Sequence, residues 1–225
     1  TPSVYEEADG AGISAGIDKT LGVNSGTTIE VTPSEAMPAG LTARFAYSKD
    51  ADSGNTNDKA AGGASGELAS GWDVTVEASS DLTGVDGLTL YAGMSEYEQY
   101  QNSSTHNGDG SERVYGVKYA TGSFTVGYQM SDEETGETSV TDYENTMYSV
   151  TFSVNDDLSI GFNHVESDKV SSASHGDAEA TSYQAAYTMG GATFSIAEVD
   201  IENRAYGTSA AADVSGTVVS MGLAF

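Results

Sequence analysis

Large apolar side chains alternate with small or polar ones along most of the chain after residue 26. A two-residue period puts successive side chains on opposite faces, so each alternating segment is predicted to form a β-strand with one apolar face. The clearest example is residues 124–130, whose sequence FTVGYQM has an apolar residue at every second place. About eleven segments follow this rule, namely 27–32, 41–48, 72–79, 88–95, 115–120, 124–130, 148–154, 158–163, 183–189, 193–196 and 216–225.

The connections between these segments are alternately short and long. The short ones are 33–40, 81–87, 121–122, 155–157 and 190–191, and the long polar ones are about 49–71, 96–112, 131–145, 166–180 and 202–215. A soluble β-sandwich has no reason to place every long loop at one end, whereas a membrane barrel has short turns on one side and long loops on the other. We therefore predict an all-β, antiparallel transmembrane β-barrel over residues 27–225, preceded by an irregular segment, 1–26.

The closing strand carries a further signal. Val219, Met221, Leu223 and the terminal Phe225 alternate with mostly small residues. This pattern resembles the last strand of bacterial outer-membrane barrels, where the terminal aromatic pattern serves as the assembly signal. Together with strand pairs such as 115–120 with 123–130 and the one-sided long loops, it makes residues 27–225 resemble the general porins of Gram-negative outer membranes.

The resemblance implies a passive diffusion channel for small hydrophilic solutes. Such porins are homotrimers of barrels with about sixteen strands, set in outer-membrane lipid and lipopolysaccharide, and a loop folded into each barrel narrows its pore. This chain departs from the pattern because eleven is an odd number, and single-chain bacterial barrels have an even number. Either residues 11–20 add a twelfth strand, or the chain is the C-terminal part of a larger barrel and residues 1–26 are the end of the constriction loop. The second explanation is preferred.

Composition excludes several other classes of protein. The net charge is −26, from 34 acidic and 8 basic residues, so nucleic acid is not an expected partner. The absence of cysteine excludes disulfides and thiolate metal sites. No run of about 18 apolar residues is present, so no transmembrane helix is expected.

Charges at the narrowest part of a pore determine its selectivity. The candidates are Glu6, Glu7 and Asp9 in the predicted constriction loop, and Glu30, Arg44, Asp73, Glu77 and Lys118 on the inward face of the strands. Opposed acids and bases there would set up a transverse electric field. Arg44 and Lys118 are assigned to the inside because a charge on the lipid face near the midplane costs roughly 2–4 kcal/mol. The loop acids could equally belong to a solvated loop.

Aromatic residues lie near the ends of the predicted strands. In a barrel they would form an interfacial girdle, whereas in a soluble sheet they would be ordinary strand residues. The candidates for the girdle are Tyr47, Trp72, Tyr115, Tyr119, Tyr148, Tyr183 and Tyr187.

The predicted long loops are strongly acidic. Residues 132–134, Asp142, Glu144, Asp177 and Glu179 would attract cations and repel anions, which predicts weak cation selectivity. Calcium or magnesium could bridge such carboxylates, because hard cations take oxygen ligands. No twelve-residue calcium loop is present, so no metal site is assigned, and no organic cofactor is expected. The acidic runs could also be only a solvated surface suited to a salty habitat.

Nothing in the sequence indicates catalysis. His106, His164 and His175 lie in or beside predicted loops, and neither a GxSxG elbow nor an HExxH motif is present. Two other functions stay open. One is a substrate-specific twelve-stranded outer-membrane channel, which would show a saturable site. The other is a soluble or surface-layer structural β protein, which would need no detergent.

Overall fold

The two-residue period produces one antiparallel sheet. The computed structural model describes residues 28–48, 68–99, 108–171 and 173–223, which contain eleven strands, each hydrogen-bonded to the next along the chain. This confirms the predicted all-β fold. The strands are β1 (Thr28–Val31), β2 (Leu41–Ser48), β3 (Leu68–Ala78), β4 (Leu88–Gln99), β5 (Gly110–Thr121), β6 (Phe124–Glu134), β7 (Val140–Ser153), β8 (Leu158–Ser171), β9 (Ala178–Met189), β10 (Ala192–Glu202) and β11 (Val214–Leu223).

Tight turns close the hairpins at one end of the sheet, here called the turn end. Between β9 and β10, Gly190 and Gly191 have φ of +58° and +89°. Positive φ at both central residues defines the type I′ turn, whose twist matches the twist of the paired strands. A four-residue helix, α1 (Ser80–Thr83), lies in the connection between β3 and β4. None of the helices in the described ranges is long and apolar enough to cross a membrane.

The strands extend further toward the opposite end, the loop end, than the apolar alternation indicates. Residues 131–145 and 166–180, predicted to be loops, lie mostly in strands, because β6 reaches Glu134 and β8 reaches Ser171. The hydrogen-bonded register continues through them, with Asp132 opposite Glu144 and Glu144 opposite Asp168. The two-residue period persists there, but acids replace apolar residues on one face, so the segments look like polar loops in the sequence.

The two faces of the sheet differ in exposure. On the outer face, near the turn end, large apolar side chains are open to the surroundings, among them Phe124 and Ile196 at 49% and Val219 at 72%. In β6 this band runs from Phe124 to Met130, and seven residues span about 20 Å of strand. The opposite, inner face holds Tyr91, Gln129 and Ser149, which are all buried. This arrangement is that of a curved sheet whose apolar surface points outward.

Tyrosine rings pack over glycines on the inner face. Tyr91 lies directly opposite Gly116, and a Cβ on that glycine would overlap the Tyr91 ring. Tyr97 is placed in the same way over Gly110 on the same strand pair. The Tyr91 hydroxyl donates a hydrogen bond to Gln129 Oε1 at 3.0 Å. Both glycines therefore make room for an aromatic ring on the adjacent strand.

An apolar core fills the inner face of β7–β10 toward the loop end. It consists of Tyr143, Met147, Val165, Ala178, Ala197, Val199, Ile201 and Tyr206, all of them buried. The sequence pattern assigned small and polar residues to the inner face, but this part of it is apolar. The difference arises because the β10–β11 connection, including the 3₁₀ turn Arg204–Tyr206, supplies Tyr206 as a packing partner.

Candidate pore wall

The five charged residues predicted for the wall lie on the inner face. Glu30 and Asp73 are both opposite Ala46, on either side of β2, and Arg44 is opposite Thr75. Lys118 is opposite Thr89 on β4 and Gly127 on β6. Their side chains therefore point away from the outer apolar band. Their function in a pore remains a prediction.

Arg44 has acidic neighbours in the pairing pattern. Asp73 and Glu77 are two residues to either side of Thr75, its direct partner on β3. Such diagonal positions are about 7–8 Å apart, within reach of a long side chain. The inner face of β2–β3 thus places one cation between two anions, and Glu30 adds a third on β1. This part of the inner face therefore carries charges of both signs, and a transverse field across a pore remains a prediction.

A row of carboxylates continues along the inner face of the sheet. The sequence pattern did not predict it. Asp73 is opposite Ser95, Ser95 is opposite Glu112, and Glu112 is opposite Glu133. Glu112 and Glu133 are completely buried, and Ser95 Oγ donates a hydrogen bond to Glu112 Oε2 at 3.0 Å. Both glutamates lie in segments predicted to be loops. Only the extension of strand pairing to the loop end assigns them to the inner face.

The β10–β11 connection turns inward over the same face. Its Tyr206 contacts the Tyr143 ring, with the ring centroids 5.4 Å apart, and its hydroxyl is 2.8 Å from Ser167 Oγ. The ammonium nitrogen of Lys169 lies 5.3 Å from the centroid of each of these two rings. Tilted packing of the two rings and cation–π attraction therefore hold this segment inside the curve of the sheet. A connection was expected to enter the barrel at residues 1–26, which lie outside the described residues.

The predicted girdle residues all lie on the outer face. Pairing places Tyr47 opposite Trp72, and Tyr119 opposite Val126. Tyr115, Tyr148, Tyr183 and Tyr187 occupy the same face, and Tyr183 is 61% exposed. Val219, Met221 and Leu223 of the predicted assembly signal are also exposed on this face. Roles in membrane anchoring and assembly remain predictions.

Above the apolar band, the outer face becomes acidic. Asp132, Glu144 and Asp168 form one cross-strand series, and Glu166 lies directly opposite Glu179. Arg113 contacts this surface, with Nη1 3.8 Å from Asp132 Oδ2 and Nη2 3.9 Å from Glu134 Oε1. Like charges directly opposite one another destabilise a sheet, so this surface favours cations in the surrounding medium. Calcium or magnesium binding stays a prediction.

Other predicted residues cannot be placed. Glu6, Glu7, Asp9, His106 and Phe225 lie outside the described residues. His164 lies on the outer face of β8, where its Nδ1 is 2.9 Å from Thr181 Oγ1.

Two solved structures are similar to this chain. OmpF of Salmonella typhi, solved in complex with daunomycin, aligns with a TM-score of 0.62 and 14% sequence identity. OmpT, an outer-membrane protein of Vibrio cholerae, aligns with a TM-score of 0.49 and 14% identity. Each alignment covers 86% of this chain and 60% of the other chain, so the sequence spans less than two thirds of either. Comparison with curated protein sequences gives no match.

The family assignment depends on the sequence itself. The profile described as Gram-negative porin matches residues 3–224, nearly the whole chain. That match agrees with an antiparallel sheet that has an apolar outer face and charged residues on its inner face. The chain belongs to the Gram-negative porin family.

Proposed function

We propose that the protein is an outer-membrane porin, through which small hydrophilic solutes and ions diffuse passively, with weak selectivity for cations. The observation that carries the proposal is the division of the sheet into an exposed apolar outer face and a charged inner face. A soluble sheet would bury the apolar face instead. In lipid, that face is covered by hydrocarbon, and the charged face borders water.

The charges on the two faces of the sheet support the direction of selectivity. On the described strands the inner face carries Glu30, Asp73, Glu77, Glu112 and Glu133, against Arg44, Lys118 and Lys169. Glu112 and Glu133 are buried, and the accessible acids and bases of the inner face are equal in number, so the negative potential comes mainly from the acidic outer face near the loop end. A negative potential raises the local concentration of cations and lowers that of anions.

The outer surface supports the environment we propose. The apolar band on β6 is about 20 Å long, which suits a thin bilayer, and outer membranes are thinner than average. Tyrosines lie toward both limits of the band, as at a membrane–water interface. We include a homotrimer, outer-membrane lipid and lipopolysaccharide in the proposal, because the general porins that the sequence resembles have them. No catalytic role is proposed.

Planar-bilayer recording tests this proposal. The full protein, extracted from outer membranes in detergent, is expected to give steady ohmic channels that close in three equal steps. Under a salt gradient, the reversal potential should have the sign of a cation-selective pore. A protein that stays soluble without detergent and gives no conductance would contradict the proposal and favour the structural alternative.

A substrate-specific channel makes a different prediction in the same apparatus. A binding site in the pore would make solute flux saturate and would let the solute block ion current. A general diffusion pore should show flux proportional to concentration for small sugars of different stereochemistry. Saturation by a single sugar would therefore refute general diffusion while leaving the barrel and the pore intact.

A further inference from the structure

Three metal-ligating side chains meet at the loop end of the β8–β9 hairpin. One carboxylate oxygen of Asp168, one of Asp177 and one imidazole nitrogen of His175 all lie within 4.8 Å of one another. Asp168 belongs to β8, and Asp177 immediately precedes β9. Because Ser167 is opposite Ala178, Asp168 and Asp177 occupy the next facing positions beyond the last pair. The chain therefore brings the three donors together from both sides of the hairpin.

His175 lacks the partner that a shielded imidazole needs. Its Nδ1 is inaccessible to solvent and makes no hydrogen bond within the described part of the chain. Buried polar atoms in folded proteins are almost always paired, and a bound ion or water is one common reason for an atom that has no partner in the protein. A neutral imidazole nitrogen is also a common metal ligand.

Contacts from the β10–β11 connection hold the ligand-bearing segment in place. The Gly176 N–H donates a hydrogen bond to the Tyr206 carbonyl at 3.2 Å, and Asn203 Nδ2 donates one to the Asp177 carbonyl at 2.9 Å. The Asn203 amide also occupies the space that a Cβ on Gly176 would need. His175 and Asp177, on either side of Gly176, are thus fixed by their backbone, which lowers the cost of organising a site.

The surrounding charge favours a cation. Glu166 and Glu179 are opposite one another two residues further into the hairpin, and Glu144 is opposite Asp168. The Asp168 and Asp177 carboxylates also lie close together and repel each other when both are ionised. A bound divalent ion would remove that repulsion.

We propose that Asp168, His175 and Asp177 bind one divalent first-row transition-metal ion, with Zn²⁺ the best match. Zn²⁺ accepts both imidazole nitrogen and carboxylate oxygen, at about 2.0–2.2 Å. Calcium takes six to eight oxygen ligands, and magnesium keeps several waters, so neither needs the imidazole. Donors within 4.8 Å of one another can approach the spacing of a tetrahedral ion by small side-chain rotations. The site lies at the end of the β8–β9 hairpin, apart from the inner wall. Metal binding there would be a property separate from the proposed pore function.

Metal binding to the full protein in detergent tests the proposal. Co²⁺ serves as the spectroscopic probe, and Zn²⁺ affinity is measured by competition with a chromophoric chelator. We expect His175→Asn and Asp168→Asn each to weaken Zn²⁺ binding at least tenfold and to abolish the Co²⁺ absorption of this site. His164→Asn is the matched control, because His164 is on β8, the strand that carries Asp168, but outside the group of three ligands, and this variant should bind Zn²⁺ like the unaltered protein.

Two results would overturn the proposal. One is equal Zn²⁺ affinity in the His175→Asn and His164→Asn proteins. The other is displacement of Zn²⁺ by an equal concentration of Ca²⁺, which would indicate a site built from oxygen alone. Circular dichroism and channel conductance of each variant show that the barrel is intact. Both should be unchanged in His175→Asn, so failure of the metal site is distinguishable from failure of the pore.

Discussion

At the scale of single residues, the inner wall depends on close contact between a tyrosine ring and a glycine on the next strand. Gly116→Ala would push a methyl group into the Tyr91 ring and the Tyr128 carbonyl. Overpacking of this kind costs about 1–3 kcal/mol of unfolding free energy. Thermal unfolding of the detergent-solubilised protein should therefore begin at lower temperature. Gly222→Ala is the control, because a Cβ there meets nothing within 4 Å in the part of the chain that the structure describes, and equal unfolding of the two variants would refute the packing argument.

The single charge of Lys118 is expected to influence the ion selectivity of the pore. Lys118→Gln removes a positive charge from the inner face, so the ratio of cation to anion permeability should rise. Arg113→Gln removes the same charge from the outer face and should change the ratio much less. Reversal potentials under a potassium chloride gradient measure both variants. A larger effect from Arg113→Gln would mean that the two faces have been assigned the wrong way round.

At the scale of elements, the inward β10–β11 connection is held by its aromatic contacts. Tyr206→Ala removes the ring that packs on Tyr143 and approaches Lys169, so the segment should open more often. Trypsin added from outside is expected to cleave after the exposed Arg204 severalfold faster than in the unaltered protein. Tyr183→Ala, which alters the outer face, should leave the cleavage rate unchanged. An unchanged rate in Tyr206→Ala would contradict the packed arrangement.

The strands were predictable from sequence where an apolar residue marks every second position, as in residues 124–130. Their extension past Met130 was not, because Ser131, Glu133 and Thr135 point inward while acids occupy the outer face. A two-residue period in the sequence does not show which polar segments pair with a neighbouring strand through backbone hydrogen bonds. The inward position of Tyr206 was not predictable either. It follows from positive φ at Asn203, Ala205 and Tyr206, a conformation that no residue type in that segment signals.

At the scale of the whole molecule, the family was evident from the sequence, while the site was only partly so. The alternation and the one-sided connections identified a porin-like barrel, and the family match over residues 3–224 agrees. The inward positions of Arg44 and Lys118 were predictable because a charge can hardly face lipid. Glu112 and Glu133 were missed because their position depends on cross-strand register, which local pattern does not encode.

We propose above all that the inner face of this sheet borders a conducting aqueous pore. The chain has no cysteine, so Thr75→Cys on the inner face and Val76→Cys on the outer face each introduce a single thiol. Single-channel conductance is measured before and after a water-soluble, negatively charged thiol reagent is added. We expect a stepwise change in conductance for Thr75→Cys and none for Val76→Cys. A change only in Val76→Cys, or in neither variant when labelling is complete, would contradict it.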